Sequence, residues 1–191
     1  NLKRKNNISS NSSKTEIVYA GMPFRKGRVI NNPSTMKDRF DLVCKLLAYA
    51  KENGVDFLFH VYGFEREDFL QSLPYLREDI ELLGDSICFH GFAKMEDVQI
   101  AVSHADYTIL IREKNRMTMA GFPTKVSESI TCGTPVITTK TSDIKKYLPE
   151  GHGTFYIDLN DMERSKKKIL YLLAKSSFVI ASHTLSPTLT F

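Results

Sequence analysis

Three short apolar runs, each closed by a glycine, constrain the fold of this 191-residue chain more than any other feature. They are EIVYAG (16–21), DFLFHVYG (56–63) and SICFHG (86–91). Runs of this length suit strands, and near-continuous apolar strands are buried on both faces, as in parallel sheets. The stretches between them carry a different period. Phe40, Val43, Leu46, Leu47 and Ala50 recur at three- and four-residue spacing, which predicts a helix over 36–53, stopped by Gly54. Residues 67–83 read as helical, with Pro74 ending or kinking the run. A short helix is predicted over 94–103. Further strands are predicted over 107–112, 136–139 and 154–157, a small helix or turn over 142–148, and a last helix over 162–176. Residues 22–35 and 113–120 read as loops. Such alternation argues for an α/β fold: a doubly wound, Rossmann-like parallel six-stranded sheet with helices on both faces. Its domain would cover 16–176, between a basic linker or disordered tail (1–15) and a C-terminal tail (177–191).

Ligands of such sheets bind above the strands' carboxyl ends, at a switch in strand order. Gly21, Gly63 and Gly91 fall there. For one glycine, turn chemistry is the better reading; three together shift the balance toward a nucleotide site. The stretch GFPTKVSESITCGTP (121–135) adds a helix entered through Pro123 and stopped at Gly133. A helix in that place points free N–H groups and a positive dipole end at whatever lies above it, which suits a phosphate. Lys125 supplies a point charge and Glu128 an acceptor for sugar hydroxyls.

Composition narrows the classes. The 26 Lys and Arg against 22 Asp and Glu leave a net charge of +4. Lys3, Arg4, Lys5 and Lys14 account for all of it. The folded body is therefore neutral, without the basic excess of a general nucleic-acid binder. No run approaches the roughly 18 apolar residues of a membrane span. Cys44, Cys88 and Cys132 show no CxxC spacing and read as small core residues in a reducing compartment. His60, His90, His104, His152 and His183 lack metal-ligand spacing, and His60 and His90 read as hydrogen-bonded core residues. No Asp-x-Asp, Gly-x-Ser-x-Gly or Walker A pattern exists, so neither a metal requirement nor hydrolase chemistry is expected. Lys166-Lys167-Lys168 reads as a solvated helix face. The chain begins without Met and is expected to be a cut-down or processed one.

Over residues 16–175 the chain resembles the C-terminal, donor-binding domain of GT-B retaining glycosyltransferases of family 4 (group 1). The resemblance rests on Pro123-Thr124-Lys125, Glu128 and Cys132-Gly133-Thr134-Pro135-Val136-Ile137. It implies transfer of a sugar from a UDP- or GDP-sugar to an acceptor held by an N-terminal domain that this chain lacks. The chain would then be one half of a GT-B fold, inactive alone. The resemblance places Glu128 on the ribose, Gly121 and Phe122 at the donor sugar and diphosphate, and Lys125 and Ser127 in support. Arg25, Lys26, Lys37 and Arg112 are its basic candidates for the diphosphate, with Lys37-Asp38 resembling the family's Lys-Gly or Lys-Asp at the start of the first helix. Gly91 and Phe92 lie where the family places the base. Gly21 and Thr124 complete the set, and no residue is assigned to catalysis. The implied donor is a nucleotide sugar, with no other cofactor and no metal. The implied setting is cytoplasmic polysaccharide biosynthesis, with peripheral association of the full-length protein at the membrane's inner face. The family's first glutamate is replaced by Ala120, and Gly21 is followed by Met22 rather than Arg. A stand-alone nucleotide-binding module and half of a nucleotide-sugar epimerase are the alternative readings.

Overall fold

The computed structural model describes residues 14–182, and side chains through residue 174. Six strands alternate with helices in chain order. The strands are β1 (Thr15–Ala20), β2 (Phe57–Tyr62), β3 (Ile87–Phe89), β4 (Tyr107–Leu110), β5 (Val136–Thr139) and β6 (Thr154–Ile157). The helices are α1 (Phe40–Glu52), α2 (Arg66–Ser72), α3 (Arg77–Leu83), α4 (Met95–His104), α5 (Arg116–Met119), α6 (Thr124–Thr131), α7 (Ile144–Tyr147) and α8 (Met162–Ser182). All pairings are parallel, in the order β3-β2-β1-β4-β5-β6. The order reverses between β1 and β4, so the switch in the winding lies there.

Alternation along β1 sorts the layers, because successive side chains point to opposite faces. Ile17 and Tyr19 enter a large core with Phe40, Phe59, Phe64 and Phe69. The Phe40 ring meets Tyr19 at 4.8 Å and Phe69 edge-on at 5.2 Å. α1 therefore covers this face, with α3 and α8 packed beside it. Val18 points the other way, into a small cluster with Val102 and Ala105 of the α4 segment. α6 shares that second face: its Ser129 hydroxyl lies 2.6 Å from that of Thr108, which is in register with Val18.

This unequal cover corrects the reading of β2 as buried on both sides. Phe57, Phe59 and Val61 are buried, whereas Leu58, His60 and Tyr62 are half-exposed, because the α4 cluster is small and packs on Tyr62 without burying this face of β2. The same face holds Cys88, which is half-buried, as is Cys132; Cys44 alone is fully in the core.

Helix α1 starts at Phe40 rather than at residue 36. The Arg39 N–H donates to Ile111 O at 2.7 Å, which ties the preceding segment to the end of β4 and keeps Asp38 and Arg39 out of the helix. β4 stops at Leu110, short of the expected Arg112. Beyond it Thr139 Oγ1 accepts from Arg112 N–H and donates to Arg112 O, so a hydroxyl continues the ladder. The expected loop over 113–120 contains α5, opened by a reciprocal Asn115–Thr118 capping box. Pro74 divides the 67–83 run into α2, a single 3₁₀ turn and α3, as its ring requires. α8 extends to Ser182, past the expected end at residue 176. The rest of the expected tail (183–191) and the expected linker up to residue 13 lie outside the described residues.

Candidate functional site at the β1–β4 switch

The three glycines form one continuous edge. Gly21 N–H donates to Tyr62 O at 2.9 Å, and Gly63 N–H donates to Gly91 O at 2.7 Å. Gly63 sits at φ +117°, and a Cβ built on it would lie 2.3 Å from Gly21 O. Only glycine lets these loop backbones approach so closely.

Beside this edge lies a buried charge cluster that the sequence reading missed. Asp38 is 4% exposed. Its Oδ1 accepts from Arg112 Nε at 2.7 Å, and its Oδ2 accepts from Tyr19 Oη at 3.0 Å and from Lys125 Nζ. The Lys125 ammonium also stands 5.0 Å from the Tyr19 ring centroid. Burial pushes the Asp38 carboxyl upward, but Lys125 and Arg112 outweigh it and hold the group below the usual carboxylate range. Burial, then the adjacent Asp38, push the Tyr19 hydroxyl well above its ordinary value, so it stays a neutral donor. Next to this cluster, Arg39 grips Asp41 with two bonds of 2.8 and 2.7 Å and also binds Glu113.

An open cleft of about 510 Å³, its solvent-filled mouth included, runs from the cluster between α4 and α6. Val18, Ala20 and Leu110 floor it, Met95 and Val98 wall it on one side, and Lys125, Glu128 and Cys132 on the other. Glu128 is exposed and has no side-chain partner among the described residues. A more polar cavity, about 1030 Å³ by the same measure, lies over the ends of β4, β5 and β6.

The structure brings together Gly21, Arg112 and Lys125, joined by Asp38, with Glu128 farther along α6. Pro123 is buried at the N-cap of α6. Gly121, Phe122, Thr124 and Ser127 are exposed around the helix start, with Phe122 edge-on to Tyr147 at 6.1 Å. Lys26 is taken up by Asp68 of α2 at 2.9 Å. Arg25 and Lys37 are exposed and form no ion pair among the described residues. Gly91 is buried, and its neighbour Phe92 is 77% exposed. Arg112 is buried and paired rather than open to a ligand. In the Lys166–Lys168 triplet, Lys166 pairs with Glu163 and lies over Tyr49, while Lys168 binds Glu150 and Tyr156 O.

The histidines expected in the core are a surface pair. His60 is half-buried and His90 exposed. His60 Nδ1 and His90 Nε2 lie 3.0 Å apart, and Tyr62 stacks on His90 at 4.4 Å. One nitrogen must donate and the other accept, so the contact requires at least one neutral ring. Burial, then His60, hold His90 below the ordinary histidine value of 6.5. The unfolded chain therefore binds this proton first, and the stability tied to the pair is lost as the solution is acidified below about pH 6.5. Urea midpoints between about pH 5 and 7.5 should rise with pH in the wild type and rise less in His90→Phe. Equal slopes would remove the pair from the pH response.

Chemically, the cleft offers an ammonium held at a glycine edge, a helix start carrying N–H groups ahead of the helical ladder, and a free carboxylate on the same helix. A phosphate fits the first two and a diol the third.

The family model described as glycosyl transferases group 1 matches residues 34–183. Among solved structures, the chain is similar to a mutant TarM from S. aureus, crystallised with fondaparinux, α-GlcNAc-glycerol and UDP. That match has 12% identity and a TM-score of 0.57, over 86% of this chain and 30% of that one. It is similar to the pneumococcal O-GlcNAc transferase GtfA, in complex with UDP and GlcNAc (17% identity, TM-score 0.54, 89% and 29% covered). It is also similar to WaaG, a glycosyltransferase involved in lipopolysaccharide biosynthesis (19% identity, TM-score 0.55, 87% and 38% covered). At such identities the likeness is one of fold, and the chain spans well under half the length of each. A search of curated proteins finds no match.

Proposed function

Because the chain belongs to the group 1 glycosyltransferases, we propose that the α4–α6 cleft binds the nucleoside diphosphate of an activated sugar. A second, acceptor-binding domain outside this chain would complete the transfer. The observation that carries this reading is the free Glu128 carboxylate in a cleft whose inner end holds the Lys125 ammonium beside Gly21. The ribose diol donates to Glu128, the diphosphate lies over the Gly21 edge and the start of α6, and the base extends toward Gly91 and Phe92. UDP bound to the pneumococcal and S. aureus neighbours supports a nucleotide of this class.

The sugar leaves with its anomeric configuration retained. No carboxylate in the cleft is assigned as a nucleophile, so attack from the leaving-group face is the reading. The protein's part is stabilising charge on the departing diphosphate through Lys125 and the α6 N–H groups, without a metal. The chain alone supplies half of this machinery and is inactive by itself. Among the described residues no helix is long and apolar enough to cross a membrane.

Glu128→Ala should weaken binding of UDP or GDP by about 1–3 kcal/mol, the worth of a lost hydrogen-bond partner to a charged group. Calorimetry checks it. Unchanged affinity in a folded variant would take Glu128 out of the site and the ribose assignment with it.

A further inference from the structure

The Lys125 ammonium does not hang free in the cleft; it is threaded inward. A Cβ on Gly21 would lie 2.1 Å from Lys125 Nζ and 2.7 Å from Cε, so the side chain passes directly against the glycine. Its end meets Asp38 and the face of Tyr19. Of the two cations on Asp38, only the Lys125 side chain is open to solvent, at 29% against 7% for Arg112. Arg112 occupies Oδ1 from within, and Tyr19 and Lys125 share Oδ2.

We propose that Asp38 is a positioning residue: it anchors the Lys125 ammonium at the Gly21 edge, where that charge meets the donor's diphosphate. The inference rests on the donor-site reading above. An ammonium has three donors. Asp38 takes one, and the others remain for a phosphate lying over Gly21. A lysine on its own has a long flexible stem, and ordering it costs conformational entropy. The carboxylate meets that cost before the ligand arrives. Its own charge does not oppose the phosphate, because Arg112 and Lys125 together neutralise it from two sides. Burial alone would press Asp38 toward the neutral form, but its depressed titration keeps the anchor charged. The Lys37-Asp38 pair draws attention to the lysine, and nothing in the sequence announces this role for Asp38, since an acid just before a helix is common.

The test measures, in the full-length protein, the ratio of nucleoside to nucleoside-diphosphate dissociation constants, using uridine with UDP and guanosine with GDP. This ratio isolates the phosphate contribution. Asp38→Asn should lower it about fivefold or more, the effect of one charged hydrogen bond loosened, and leave nucleoside affinity within about twofold. Lys125→Met should lower it equally, and the double variant should lose no more than Lys125→Met alone. A merely structural Asp38 would lower the melting temperature and leave the ratio intact. A ratio unchanged or raised in Asp38→Asn overturns the anchor. If Asp38→Asn does not fold, Gly21→Ala displaces the ammonium while both charges remain, and the same fall is expected. An unchanged ratio there likewise overturns it. A wild type that binds neither diphosphate sinks the donor-site reading, and this inference with it. A wild type that binds one, with variants that keep the ratio, sinks this inference alone.

Discussion

Alanine at position 63 should cost about 2–6 kcal/mol of stability, although it adds one methyl group. Two terms sum to that figure. The backbone at φ +117° is one that an L side chain rarely adopts, a strain of about 1–3 kcal/mol. The new Cβ would also stand 2.3 Å from Gly21 O, and relieving that clash in packed backbone costs roughly another 1–3 kcal/mol. The Gly63 N–H that holds Gly91 O at 2.7 Å moves with it, so the whole glycine edge shifts. For a chain of this size the melting temperature should fall by about 5–20 °C. Gly54→Ala is the control. Gly54 also has a positive φ, +76°, but nothing lies within 4 Å of its Cβ position, so only the backbone term of about 1 kcal/mol applies. If thermal unfolding shows equal losses at 54 and 63, the close approach of the two loops is not what selects glycine.

The glycine edge was legible in the sequence because each glycine ends an apolar run, and a strand end followed by a tight turn has few solutions. β5 and β6 fall on their expected residues, and α6 begins and ends at the expected Pro123 and Gly133 signals. These elements announce themselves locally. What the sequence concealed depends on cover. DFLFHVYG reads as buried on both faces, yet one face is half-open, since the apolar run does not reveal how little of α4 lies across it. The histidines at 60 and 90 were misplaced for the same reason. Helix α5 did carry a signal, Asn115 three residues before Thr118, which a reading centred on apolar period passes over. The deepest omission is the place of Asp38 in the charge cluster, beyond its standing next to Lys37. That aspartate lies 74 residues from Arg112 and 87 from Lys125, and only the parallel winding brings the start of α1 against the ends of β1 and β4. Lys37, its neighbour, attracted the functional reading through its charge but lies exposed outside the cluster.

Arg112 supplies the sharpest contrast between the two views, because a basic residue at a strand end reads as a phosphate ligand. In the fold its guanidinium is buried against Asp38, and the expected result of Arg112→Met follows from that burial. Removing one partner of a buried ion pair leaves the other charge uncompensated, a loss of about 3–5 kcal/mol. Lys125 and Tyr19 remain on Asp38 Oδ2, so the lower part of that range is expected. The pH dependence identifies the cause. Asp38 is held below its unfolded value, so its contribution is complete above the ordinary carboxylate range and is lost as pH falls through the depressed folded value. With Arg112 gone the depression is smaller, and the acid limb of the stability curve moves to higher pH. Urea titrations of both proteins should differ most near neutrality and converge in acid, once Asp38 is protonated in each. A gap that stays constant down to acid pH would mean that Arg112 stabilises by packing its stem. A fall in diphosphate affinity with no loss of stability would mean instead that the guanidinium turns out of the core to meet the ligand.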